Sequence, residues 1–211
     1  MSVNNIINMA ILKGLDIIAL TDHNSCKNCP AFLNAAKNAG IRALPGMEIN
    51  TSEEVHAVCL FKDLSHAMAF DKYVFDSLPN IQNRPEIFGE QLLIDEDDKI
   101  TGHIDKLLIA ASSISFFQLR DIMNEFHGVY FPSHIDRESF SIISNLGFIP
   151  DECSMDAFEL TDITRLSRLK AQNPVLATLP LLRNSDAHYL WDISEAENLL
   201  PESFAKLIND K

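Results

Sequence analysis

Apolar positions along this chain follow two alternating periods. Residues 4–13 (NNIINMAILK) set Ile6, Ile7, Met9, Ala10 and Leu12 largely on one face, which predicts a helix stopped by Gly14. LDIIALT at 15–21 reads as a buried strand and 30–39 as a helix closed by Gly40. IRALPGME at 41–48 reads as a strand with a Pro-Gly turn near its end, and VHAVCLF at 55–61 as another strand. Residues 64–78 suit a helix that stops before Pro79. The stretch 79–103 is less regular and holds the acidic run DEDDK, which predicts a solvated insertion between short elements. Helices are then expected at 114–128, 138–147, 164–172 and 203–210, and strands at 129–134, 156–160 and 176–185. With no internal repeat or low-complexity linker, 1–211 reads as a single domain.

Strands alternating with helices imply a mostly parallel sheet, either open or closed into a barrel. Several strand-like segments end in a side chain able to bind metal. Asp22 and His23 follow IIALT, Glu48 follows LPGM, His134 follows YFPS, and Asp186 and His188 follow PLLRNS, while His56 lies inside VHAVCLF. A (β/α) barrel gathers such groups at one end of its strands, whereas an open doubly wound sheet concentrates a site at one switch point. Ligands from this many strands favour the barrel.

Charge narrows the partners. Seventeen basic against thirty acidic residues give a formal charge of -13, with no Lys/Arg cluster to offset it. Nucleic acid is therefore not expected as a partner. An acidic surface attracts divalent cations instead, and a small anionic substrate is compatible with it once bound metal reverses the local sign. No window reaches 18 apolar residues and the first residues lack a basic signal region, so neither membrane nor secretion is expected, and a cytoplasmic location follows by default. Cys26 and Cys29 form C-x-x-C and, with His23, H-x-x-C-x-x-C. Without a second pair at zinc-finger spacing, two reduced thiols on a loop and helix start are the favoured reading. The aromatics include Phe116, Phe117 and Phe126 at helix-packing spacing, and none suggests a platform for stacking bases.

Imidazole and carboxylate donors together suit zinc, manganese or iron, and a carboxylate can bridge two ions. Two such ions clamp the attacking and leaving oxygens of a displacement at phosphorus, and a bound water whose pKa falls to about 7 supplies hydroxide. Arg137, three residues beyond His134, offers paired donors to a substrate phosphate, although an ion pair with Asp136 or Glu138 would explain it equally well. His66, His103 and His127 have no comparable context.

The ordered series TDH (21–23), PGMEIN (45–50), VH (55–56), SHIDR (133–137) and SDAH (185–188) resembles the PHP family of metal-dependent phosphoesterases, named for polymerase and histidinol phosphatase. The resemblance implies a distorted (β/α)7 barrel and one to three divalent metal ions. It implies that Glu48 bridges two metals and that Asp186 binds the first. His23 and His188 would bind the second, and His56 and His134, with Glu48, the third. Asp22 is carried as a further metal candidate, closer to an orienting role than to direct ligation. Glu48, His134 and Arg137 are the candidate catalytic residues. The implied activity is hydrolysis of a small phosphate ester by metal-activated water. An amidohydrolase is disfavoured because no position for a carboxylated lysine is evident.

One departure stands out. The family's first motif, H-x-H on the first barrel strand, should precede the helix read at 4–13, and it is absent. The expectation is an N-terminally shortened barrel lacking its first strand, with an open edge through which copies of the chain could pair. The alternative is a catalytically impaired metal-binding or regulatory PHP-like domain. An in-frame H-x-H upstream of Met1 in the encoding DNA would separate them.

Overall fold

The protein is described by a computed structural model covering residues 1–150 and 153–210. Helix α1 (Val3–Leu12) leads through Gly14 into strand β1 (Ile17–Leu20), and helix α2 (Cys29–Ala39) ends at Gly40. Gly40 takes φ +75°, the left-handed helix stop that glycine adopts without steric cost. Val3 and Ile7 of α1 pack on Ala31, Phe32, Ala35 and Ala36 of α2.

Strand β2 (Arg42–Asn50) runs straight through the expected Pro-Gly turn. It changes partners there: Arg42 to Pro45 pair in parallel with β1, and Gly46 to Asn50 pair antiparallel with β3 (His56–Phe61). A Cβ on Gly46 would stand 2.8 Å from the Cys59 carbonyl oxygen and 2.7 Å from Leu60 Cδ2, so only glycine lets β3 approach. Gly46→Ala is expected to destabilise the fold by about 2 kcal/mol, as overpacking does, measured as a lowered denaturant midpoint at unchanged slope.

Helix α3 (Leu64–Ser77) is followed by a segment holding the short α4 (Pro85–Phe88) and a hairpin of β4 (Leu92–Ile94) and β5 (Ile100–His103). Helix α5 (Leu119–Glu125) and strand β6 (Gly128–Pro132) come next, and β6 pairs antiparallel with β3. Then follow α6 (Ile142–Leu146), β7 (Phe158–Glu159), α7 (Leu166–Gln172), β8 (Leu181–Leu182) and α8 (Glu202–Asp210), with β7 and β8 pairing in parallel.

The sheet order β1-β2-β3-β6 corrects the expected mostly parallel barrel to a mixed α/β fold. Among the described residues the strands do not close into a ring. The physical reason lies in the connections: the five residues between β2 and β3 cannot make the crossover a parallel pair needs. The strand expected at 176–185 shrinks to Leu181–Leu182, because 174–177 coil into a 3-10 turn behind Pro174. The helix expected at 138–147 begins only at Ile142, where Ser141 caps it.

Both faces of the sheet are buried. Met47, Ile49, Cys59, Phe61 and Tyr130 face one core with Phe70 and Phe116, while Leu44, Val58, Leu60, Val129 and Phe131 are covered by Phe204 and Ile208 of α8. This explains why β3 and β6 read as continuous apolar runs. No helix among the described residues is long and apolar enough to cross a membrane.

Candidate functional site

Glu48 organises the site. It lies near the C-terminal end of β2 on the face shared with Val58, and that end of the sheet also receives the C-terminal ends of β1 and β6 and the start of β3. His23 joins Glu48 by an isolated parallel bridge, with Glu48 N–H donating to Asp22 O and Asn24 N–H to Glu48 O. His56 opens β3 one diagonal step from Glu48, and His134 follows β6. Four of the residues read from the sequence, His23, Glu48, His56 and His134, are thus brought together.

The carboxylate is divided between them. Oε2 lies 3.3 Å from His23 Nδ1, while Oε1 lies 3.5 Å from His56 Nδ1 and 3.6 Å from His134 Nε2. These separations exceed an ordinary N–H···O hydrogen bond. They match instead the edge of a tetrahedron of donors about 2.0–2.1 Å from one ion, which is about 3.3 Å. The residues therefore fit a divalent cation, and His23, Glu48 and His56 present ligand atoms within 4.8 Å of one another.

Burial pushes the Glu48 carboxyl up, but contact with His134 and His56 and the charges of His56 and His23 outweigh it and leave it well below the usual carboxylate range. His134 moves the other way: burial lowers it, and the Glu48 and Glu159 carboxylates together raise it by more. For His23 burial prevails and the imidazole is held low, in the neutral form a metal needs.

A cavity of about 180 Å³ opens beside these groups and is also lined by Arg137, Ser139, Phe140, Asp186 and His188. Arg137 Nη1 pairs with Asp186 Oδ2 at 2.7 Å, not with Asp136 or Glu138. Asp136 instead accepts the backbone N–H groups of Thr161 and Asp162. His188 stands 59% exposed with its ring 6.0 Å from that of His23, and its Nδ1 lies 2.9 Å from Asp186 O. Phe140 stacks on His56 with centroids 4.6 Å apart, and its carbonyl accepts the His56 N–H.

Asp22 does not line the cavity. Neighbouring strand residues point to opposite faces, so with His23 in the cluster the Asp22 carboxylate turns to Asn28 Nδ2 at 3.2 Å, and burial raises its pKa. Cys26 and Cys29 are buried, and each Sγ donates to Gly46 O, at 3.2 and 3.5 Å. Among the described residues neither thiol joins the possible metal group. His66 and His127 pair with each other, 4.9 Å between rings. A larger cavity of about 670 Å³ lies between α3 and the segment that carries the β4–β5 hairpin. Its lysines are already engaged, Lys27 by buried Asp71 and Lys106 by the carbonyls of Phe75 and Leu78 at the end of α3.

Two supporting residues escaped the sequence reading. Asn24, fully buried with φ +48°, bonds the backbones of Asn50, Leu108 and Ala110 through its amide. It stands in the same TDHN run as His23. Glu159, 4% exposed at the end of β7, accepts the His134 backbone N–H. An acid at a strand end was the signal that singled out Glu48, and DAFEL carried it too.

A family model described as PHP domain matches residues 1–134. No curated protein matches the chain. Among solved structures, a candidate metal-dependent phosphoesterase from Bifidobacterium adolescentis is 16% identical, with TM-score 0.65 over 98% of this chain and 90% of that one. An amidohydrolase from Chromobacterium violaceum with bound sulfate and no metal is also 16% identical, with TM-score 0.60 and the same coverages. Endonuclease Q, a lesion-specific enzyme of Pyrococcus furiosus, is 19% identical, with TM-score 0.59 over 90% of this chain and 44% of its own. An endonuclease Q complex with a 27-mer duplex carrying an abasic lesion at the active site is also 19% identical, with TM-score 0.63 over 90% of this chain and 45% of that one. At these identities the likeness is one of fold.

The endonuclease Q complex overturns the expectation that nucleic acid is excluded. Net charge describes the whole surface, whereas ions bound among carboxylates and imidazoles set the local sign where a phosphate would sit. A charge of -13 therefore does not decide the substrate.

Proposed function

The chain belongs to the PHP domain family, and from that premise we propose that it is a metal-dependent hydrolase of phosphate esters. The observation that carries this reading is the divided Glu48 carboxylate, one oxygen facing His23 and the other facing His56 and His134. Glu48, His23, His56 and His134 would hold divalent metal, for which zinc, manganese or iron match the mixed donors. When bound, such ions activate water as a nucleophile at neutral pH and offset charge developing on a phosphoryl oxygen.

The protein's own residues have separate tasks in this reading. His23, His56 and His134 offer ring nitrogens, and Phe140 fixes the His56 ring by stacking. Glu48 stays ionised at neutral pH because its pKa is held low. Asp186 and His188 complete the far wall of the cavity. Arg137, held through Nη1 by Asp186, keeps its other guanidinium donors for a phosphate oxygen. A cavity of about 180 Å³ admits a phosphoryl group and the first atoms of the ester, so the remainder of the substrate extends past Phe140 into solvent. A small phosphomonoester fits that description, and so does the phosphorylated end of a longer chain. Residues 1–211 act as one unit, with β4–β5 as an insertion.

A second reading is a metal-binding or regulatory domain without turnover. The Arg137–Asp186 ion pair favours it, since it engages Asp186 and leaves the Glu48 cluster as the gathered donor set. Phosphate release from an aryl phosphate and from a 5′-phosphorylated oligonucleotide, with manganese, zinc or iron(II) added to chelator-treated protein, separates the two. Metal-dependent release abolished by chelator is the expected result. Bound metal with no release from either substrate would leave the second reading standing.

A further inference from the structure

We propose that Glu159 is a positioning residue that braces the two outer loops of the metal site against each other. The idea rests on the metal-dependent reading above and goes beyond it. One carboxylate oxygen, Oε1, accepts the backbone N–H of His134 at 3.1 Å, and the other, Oε2, accepts Asn184 Nδ2 at 2.7 Å. The Glu159 carbonyl accepts the N–H of Ile135 at 3.0 Å, and Leu160 N–H donates to Leu182 O at 3.2 Å. A single residue at the end of β7 therefore ties the loop after β6, which carries His134 and Arg137, to the loop after β8, which carries Asp186 and His188.

Both loops need such a tie. His134 has φ +31° and Asp186 φ +46°, left-handed conformations that side chains other than glycine adopt only when surrounding contacts enforce them. The direct link between the loops, Arg137 to Asp186, involves an arginine side chain 43% exposed, where water screens the attraction. Glu159 is the buried link, with 4% of its surface accessible. It does not line the cavity, so it acts through His134 and the 184–188 loop, not on a substrate. Partners of this kind behind metal-binding histidines govern how well the ligands hold their geometry.

Three variants test this: Glu159→Ala removes both acceptors, Asn184→Ala cuts the tie to the second loop, and Glu159→Gln keeps an oxygen for His134 N–H. In Glu159→Gln the new amide can still meet Asn184 if that side chain turns its oxygen inward. Chelator-treated proteins are titrated calorimetrically with manganese chloride. Amide hydrogen exchange is followed in 134–137 and 184–188, and kcat and KM are measured on a phosphomonoester. Glu159→Ala is expected to weaken manganese binding by about 10–100-fold and to speed exchange in both segments, with kcat falling more than KM rises. Asn184→Ala speeds exchange in the second segment only, and Glu159→Gln recovers affinity to within about threefold of the parent.

Manganese affinity, exchange and kinetics all unchanged in Glu159→Ala, with only a lower melting temperature, would overturn the proposal. So would a Glu159→Gln variant as damaged as Glu159→Ala. If Glu159→Ala does not fold, Asn184→Ala decides, since normal exchange at 184–188 there removes the brace. If the parent chain fails to bind manganese, the metal reading itself falls, and the exchange arm still judges the brace.

Discussion

Glu48→Ala is expected to abolish high-affinity binding of divalent ions and to lower metal-dependent hydrolysis by at least about 10³-fold, equivalent to about 4 kcal/mol of barrier. Glu48 is the one carboxylate in the possible metal group, and both of its oxygens face imidazoles. Removing it leaves the three gathered imidazoles without the carboxylate they face. Glu48→Gln separates charge from shape, and binding surviving in Glu48→Gln would show that the imidazoles suffice.

The metal-free protein should also register the loss, with a defined pH window. Glu48 titrates below its ordinary value, so its stabilising effect is present above about pH 4.3 and fades as pH falls further. His134 titrates above its ordinary value, so its effect is present below about pH 6.5 and is lost as pH rises through the folded pKa. The stability deficit of Glu48→Ala in urea is therefore greatest at about pH 5–6 and shrinks on either side. A deficit independent of pH between 3 and 8 would mean that the carboxylate and imidazole do not interact as charges.

Asn24→Ala should cost about 4 kcal/mol of stability, a large share of what a domain this size possesses. The Asn24 amide donates to Leu108 O at 2.7 Å and Ala110 O at 2.9 Å, and its oxygen accepts Asn50 N–H at 2.9 Å. Truncation would leave these backbone groups short of a partner beside the fully buried Asn24 site. Alanine would also have to adopt φ +48°. Asn24→Gly relieves the second penalty but not the first, so it should recover about 1 kcal/mol relative to alanine. Because Asn24 follows His23 and its N–H bonds Glu48 O, metal affinity should fall with stability. Chemical denaturation of the three proteins, paired with manganese titration, checks both. An Asn24→Ala protein within 1 kcal/mol of the parent would show that the 108–110 segment is not anchored through this side chain.

Much of the element pattern was legible because local periodicity decides it. The α1 helix, the stop at Gly40 and the strand through Val58 and Leu60 lie where hydrophobic spacing puts them. Pro45 and Gly46 were misread as a turn because a proline and a glycine also suit a strand that exchanges neighbours, and only the packing of β3 against Gly46 distinguishes the two. The parallel barrel was likewise inferred from alternation, which is blind to strand direction. Connection length would have warned of the antiparallel β2–β3 pair.

The site divides in the same way. Side chains that bind metal carry their chemistry in their identity, so His23, Glu48, His56 and His134 could be named from sequence, and the structure gathers them around one carboxylate. What holds them is an arrangement across distant segments. The amide of Asn24 reaches residues 108 and 110, Glu159 reaches His134 and Asn184, and Arg137 meets Asp186 and not its sequence neighbours. An asparagine or a glutamate looks the same in sequence whether solvated or buried, because its role is set by which backbone groups the fold leaves beside it. The sequence alone determined the family's motifs, the donor chemistry and most helices. Only the tertiary structure decided strand direction, which oxygen of Glu48 faces which imidazole, and which buried polar groups brace the loops, since each depends on residues brought together by packing.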